Sequence, residues 1–195
     1  YGIKVININA EEVINTVSAL DKKNDTQAKK IANELIKNAE FCYMERDMVI
    51  KSIKFYLGVK YLLDKYECNA FTIPCFQICA TRKLDKEKYT FCLAHSLLKE
   101  AGKSSACDID MSALFALDIL MNITNTAPHM GNVHPASKNV SNNIGVGDDL
   151  ASDDFTSIPD RFKEIDNLIY TYHAVHTRYM EGIDKNPSLY GIQSF

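Results

Sequence analysis

Two carboxylates, Asp108 and Asp110, stand two apart in the run Ala106-Cys107-Asp108-Ile109-Asp110, immediately before a long apolar segment. Carboxylate oxygens are hard donors, suited to a divalent cation or to accepting a proton as a general base. Read as the end of a strand, the spacing aims both side chains the same way. In open α/β sheets, ligands gather at the carboxyl ends of strands, facing helix N-termini. An Asp just before a helix also serves as an N-cap, accepting backbone N–H bonds at the positive end of the dipole. Both readings stand at this point.

Of the five histidines, His173 lies in the strand-like run Asn-Leu-Ile-Tyr-Thr-Tyr-His-Ala-Val and is followed by His176, Thr177 and Arg178. A neutral strand histidine can be a satisfied core residue, one nitrogen donating and the other accepting, or a metal ligand. His129 and His134 fall in or beside an irregular stretch, at a spacing that matches no metal template. His95 lies in a helical pattern, where packing or a buried hydrogen bond is expected. The six cysteines, at 42, 68, 75, 79, 92 and 107, sit mostly inside apolar strand or helix patterns, as reduced thiols do. Cys75-x-x-x-Cys79 fits neither the redox CxxC spacing nor a zinc knuckle, so buried or merely local thiols are expected.

The elements that position these groups follow from periodicity. Residues 3–8 are rich in β-branched side chains and read as a strand, with helical spacing over 11–20. Ala28, Ile31, Ala32, Leu35 and Ile36 make one stripe of an amphipathic helix over 26–39; Val49, Ile53, Tyr56, Leu57 and Leu63 do so over 45–66. An apolar strand over 69–75 has Pro74 near its end, where a missing ladder donor is tolerated. Residues 76–89 read as a charged loop, 91–101 as a helix stopped by Gly102, and 104–109 as a short strand. The segment 112–123 is apolar nearly all round, which predicts a helix buried on more than one side. Residues 125–160 are full of Asn, Gly, Ser, Asp and Pro and read as a long loop or insertion. Strands are expected over 167–175 and again over 188–195. The fold class that results is α/β, a mostly parallel sheet flanked by helices, followed by the start of a β-rich C-terminal domain. The boundaries are 1–124 for the α/β domain, 125–160 for the insertion and 161–195 for the β-rich start.

Charge argues against several partners. Twenty-two Lys and Arg oppose 25 Asp and Glu, and the net charge of −3 offers no broad attraction for nucleic acid or anionic lipid. Basic residues at 51, 54 and 60 fall on the polar face of a helix, with no aromatic platform for bases. No apolar run approaches the roughly 20 residues that cross a bilayer, and the opening lacks a signal-peptide layout. A soluble, cytoplasmic protein is the expectation. Because the chain opens without Met, directly into a strand-like run, a longer natural protein is expected.

The order of motifs carries more than any one of them. Ala-Phe-Thr-Ile-Pro-Cys-Phe from Ala70, Phe-Cys-Leu-Ala-His-Ser-Leu-Leu-Lys-Glu-Ala-Gly from Phe91, Ala-Cys-Asp-Ile-Asp from Ala106, Pro-His-Met-Gly-Asn from Pro128 and Tyr-His-Ala-Val-His-Thr-Arg-Tyr-Met from Tyr172 follow one another. In that order they resemble the middle and early C-terminal part of the L-fucose isomerase and L-arabinose isomerase superfamily. The resemblance implies a metal-dependent aldose-ketose isomerase, in which a divalent cation, typically Mn2+, binds neighbouring sugar oxygens. Carboxylates then pass a proton between C1 and C2 through an ene-diol. It implies that Asp110 holds metal and transfers protons, supported by Asp108, with His173 as the histidine ligand. Arg178, Gln77 and His176 fall where substrate contacts are expected. It implies a homo-oligomer acting on a small-molecule sugar, this chain being roughly half of the enzyme. The family's second glutamate ligand has no clear counterpart: Gln77, Ile78, Cys92 and Leu93 occupy its neighbourhood. A catalytically impaired sugar-binding or assembly protein on the same fold is therefore the alternative.

Overall fold

A computed structural model describes residues 2–75, 91–135, 169–172 and 177–192. The chain divides into two compact units, one made of Tyr1–Met130 with Ala174–Phe195, the other of Gly131–His173.

In the first unit, helix α1 spans Ala10–Asn38 and α2 spans Arg46–Lys65. Asn9 starts α1: its side-chain oxygen accepts the Glu11 N–H at 2.9 Å, and Glu11 and Glu12 meet the positive end of the dipole. The two amphipathic stripes predicted for this region meet here. Val17, Ala28, Ala32 and Leu35 of α1 are buried with Val49, Ile53, Phe55 and Val59 of α2 in one apolar cluster. The helices cross closely at Gly58, where an added Cβ would stand 2.6 Å from Val17 Cγ2. Any side chain there would push them apart. The helical readings at 11–20 and 26–39 are therefore halves of one helix. Residues 3–8 form no strand; largely exposed, they find no ladder partner among the described residues.

The chemistry-bearing part is a β-α-β unit. Strand β2, Ala70–Ile73, lies parallel to β3, Ser104–Cys107, in the register Ala70↔Ser104 to Ile73↔Cys107. The crossover between them contains α3, Cys92–Glu100. Gly102 follows that helix at φ +75°, the left-handed position expected of a glycine stop. Phe91 meets Phe55 edge to face with ring centroids 4.3 Å apart, which seats α3 against α2. Helix α4, Met111–Thr124, follows β3 and is tied back to it by Ser104 Oγ, which donates to Asp118 Oδ1 at 2.6 Å.

Two expectations need correction. Helix α4 is not buried all round: Leu114, Leu117 and Met121 are buried, whereas Phe115, Ile119, Leu120 and Ile123 are exposed among the described residues. A high apolar content without a strong moment says only that a helix has more than one apolar face, and here one face is covered. Nor is there one large parallel sheet. The described strands form three separate pairs: β2 with β3; β1, Phe41–Cys42, parallel to β6, Gly191–Ile192; and β4, Asn132–Pro135, antiparallel to β5, Ile169–Tyr172. The α/β character holds, but the late strands β5 and β6 belong to different pairs and give no support to a β-rich C-terminal domain. β4 and β5 make up the described part of the second unit, and β4 falls within the stretch read as loop. No described helix is long and apolar enough to cross a membrane.

Candidate functional site

Both groups of candidate ligands meet at the carboxyl end of β3. The strand stops at Cys107, and the chain reverses through Asp108 and Ile109, both with positive φ (57° and 55°), before Asp110 N–H donates to Cys107 O at 3.0 Å. Two central residues at positive φ inside an i to i+3 hydrogen bond carry the φ signature of a type I′ turn. Asp visits this region readily, but a β-branched Ile there is a genuine outlier, of the kind that clusters at functional sites. Ile109 gains nothing from burial in return, being 50% exposed. The strand alternation expected for Asp108 and Asp110 is therefore replaced by a turn, and it is the turn that sets their directions.

Asp110 is the N-cap of α4, its Oδ1 accepting the Ala113 N–H at 2.8 Å. The cap reading is thus realised, and it leaves Oδ2 as the second acceptor. Both Asp108 and Asp110 are exposed.

On the inner side of the same strand end lies a constellation that the spacing of residues did not reveal. Cys75, His95 and Cys107 are all buried, and their ligand atoms lie within 4.8 Å of one another. Each comes from a different element: Cys75 just past β2, His95 from α3, and Cys107 from the last position of β3. His95 Nε2 stands 3.5 Å from Cys75 Sγ, and His95 Nδ1 stands 2.6 Å from the buried Ser105 Oγ. The Phe71 ring flanks the imidazole at a centroid distance of 5.5 Å. The Cys75 thiol is pushed above the usual thiol range, first by its hydrogen bond with Cys107 and then by burial. These three residues could hold a metal ion.

Lys99, one turn after His95, is fully buried, with Nζ donating to Pro128 O at 3.1 Å. Burial pulls its ammonium down to about 8, against the opposing pull of the Glu100 and Cys107 charges.

Arg178, expected near substrate, is engaged within the protein. Its Nη2 meets Glu100 Oε2 at 2.5 Å, its Nε lies 3.1 Å from both carboxylate oxygens, and its backbone N–H donates to Glu100 Oε1 at 2.8 Å. The guanidinium also lies over the Tyr179 and Tyr190 rings, at 5.5 and 5.3 Å. This clamp fastens the end of α3 to the C-terminal segment. Gln77, His173 and His176 lie outside the described residues. A cavity of about 570 Å³ between α1 and α2, lined by Asn9, Glu12, Asn15, Tyr61 and Lys65 among others, contains none of the residues of either constellation.

The separation of Cys75 from His95 and of His95 from Cys107 matches no short ligand motif, which is why the inner constellation stays hidden in the sequence. The available signal is that one cysteine follows the first strand and the other ends the second, with the histidine on the helix between them. Comparison with known proteins finds no matching family model, no matching curated protein and no matching solved structure.

Proposed function

We propose that the chain is part of a metal-dependent aldose-ketose isomerase of the fucose or arabinose isomerase type, with the exposed carboxylates after β3 as its catalytic edge. The observation that carries this reading is the turn itself: two carboxylates held at the carboxyl end of a parallel strand, on either side of an Ile in a strained left-handed conformation. The succession of family-like motifs supports it from the sequence side.

The donor set fits a hard cation, since Asp108 and Asp110 are both exposed carboxylates and the Ala113 cap occupies only Oδ1 of Asp110. A bound Mn2+ would polarise adjacent sugar oxygens as a Lewis acid. Asp110 holds its carboxylate in place through the Ala113 N–H and moves the proton between C1 and C2, while Asp108 positions and balances charge. His173 is the proposed third ligand, and Gln77 and His176 are the proposed substrate side; Arg178, held by Glu100, positions α3. Cysteines 42, 68, 75, 92 and 107 are in no disulfide, which suits a reducing cytoplasm. A homo-oligomer of the full-length protein belongs to the same reading.

A catalytically impaired sugar-binding or assembly protein is the second reading, favoured by the use of one Asp110 oxygen as a cap. Asp110→Asn separates the two, because Asn caps as well as Asp and keeps the fold. In the full-length protein the variant is expected to lose manganese-dependent interconversion of aldose and ketose while its melting temperature stays nearly unchanged. Full activity in the variant would remove the mechanism. Absence of saturable Mn2+ binding to the unmutated protein by calorimetry would favour the second reading.

A further inference from the structure

We propose that Cys75, His95 and Cys107 form a buried binding site for a soft divalent cation of the Zn2+ class, distinct from the exposed carboxylates and structural in role.

The distances agree with this. A tetrahedral zinc bound at about 2.3 Å to sulfur and about 2.0 Å to nitrogen places those two atoms about 3.5 Å apart. His95 Nε2 and Cys75 Sγ are 3.5 Å apart, and the Cys107 sulfur lies within 4.8 Å of both. The histidine is oriented for the task. A proton on Nδ1 directed at Ser105 Oγ, 2.6 Å away, leaves the Nε2 lone pair facing Cys75, the arrangement that outer-shell partners impose on metal-bound imidazoles. Ser105 is itself fully buried on β3, so this partner does not wander into solvent.

Charge balance points the same way. Two thiolates and a neutral imidazole around a divalent cation sum to zero, which a buried site tolerates, whereas either thiolate alone would carry an uncompensated charge. Sulfur and imidazole select zinc over manganese, which prefers carboxylate and water oxygens. Three protein ligands leave one position of a tetrahedron. The consequence is a staple: one ion would join β2, α3 and β3, the elements whose ends carry the carboxylate turn.

Metal binding proceeds with release of the thiol protons to solvent and no change of oxidation state. The test is titration of the reduced, chelator-treated protein with Co2+, whose thiolate charge-transfer and tetrahedral ligand-field absorptions report sulfur ligation, followed by Zn2+ displacement. The expectation is one saturating equivalent, a higher melting temperature on binding, and loss of the thiolate absorption in Cys107→Ser and His95→Gln. Ser105→Ala, which keeps all three ligands, should bind 10–100-fold more weakly. Because ligand variants can unfold, circular dichroism accompanies each, and Ser105→Ala carries the test where they do. Asp110→Asn should leave the absorption unchanged, so the outcome is independent of the isomerase reading. No thiolate absorption in the folded, reduced protein would overturn the proposal. So would an absorption that persists in folded Cys107→Ser, or a Cys75–Cys107 disulfide that resists reduction and blocks the titration.

Discussion

Cys107 and Asp108 are adjacent in the chain yet stand in opposite environments. The first closes β3 with its sulfur buried among Cys75 and His95; the second begins a left-handed turn and is exposed. One strand end thus separates a soft, dry donor set from a hard, wet one within a single peptide unit. The separation is steric before it is chemical. Up to Cys107 the parallel ladder dictates which side chains face the core, and beyond it the turn takes over. Interior donors are held by packing from three elements, exterior ones by backbone conformation and a helix cap. The interior set should therefore respond to changes in packing and charge burial, and the exterior set to changes in turn geometry.

The largest effect should come from the clamp that holds α3, and so His95, in place. Glu100 and Arg178 are mostly withdrawn from solvent, at 7% and 23% side-chain exposure. Glu100→Ala leaves the guanidinium without its carboxylate and should cost about 3 kcal/mol in denaturant unfolding. A loss below about 1 kcal/mol would mean that the pair behaves as a surface ion pair and that α3 is held by apolar contacts alone.

Next is Lys99. Its ammonium is pulled from 10.5 to about 8 chiefly by burial, which corresponds to about 3 kcal/mol of native-state cost while the group is charged. Because the folded value lies below the unfolded one, the unfolded chain binds more protons between pH 8 and 10.5. The cost is fully present below about 8 and fades as pH rises through that window. Lys99→Met should accordingly be more stable than the parent at pH 7 by about 2 kcal/mol, after loss of the Pro128 hydrogen bond. That advantage should shrink steadily as pH is raised toward 10.5, and a pH-independent difference would show that the ammonium is not desolvated.

Ile109→Gly tests the exterior set. Relief of the left-handed strain, offset by glycine's greater backbone entropy, should raise stability by about 1 kcal/mol. The same change should loosen the carboxylates and weaken Mn2+ binding, leaving Co2+ thiolate absorption unaffected. Stabilisation with unchanged Mn2+ affinity would make the strained turn irrelevant to ligand binding.

How much of this was legible beforehand differs between the two sets. The stripe residues Ala28, Ala32 and Leu35, the Gly102 stop, the strands around Ala70–Ile73 and Ser104–Cys107 and the Asp110 cap all follow from periods and caps read along the chain. The exposed face of α4 was misjudged, because apolar content does not say which face finds a partner. The strand expected at residues 3–8 failed because a strand needs a neighbour as well as β-branched residues.

What the sequence determined by itself, then, is local: helix faces, strand candidates, and two aspartates placed before a helix, each set by interactions spanning a few residues. What only the tertiary structure decided is the meeting of Cys75, His95 and Cys107 and the division at Cys107 between inside and outside. Those depend on the register of β2 against β3 and on how α3 lies across them. Such long-range pairings are chosen by the packing of the whole unit, and no short spacing in the chain encodes them.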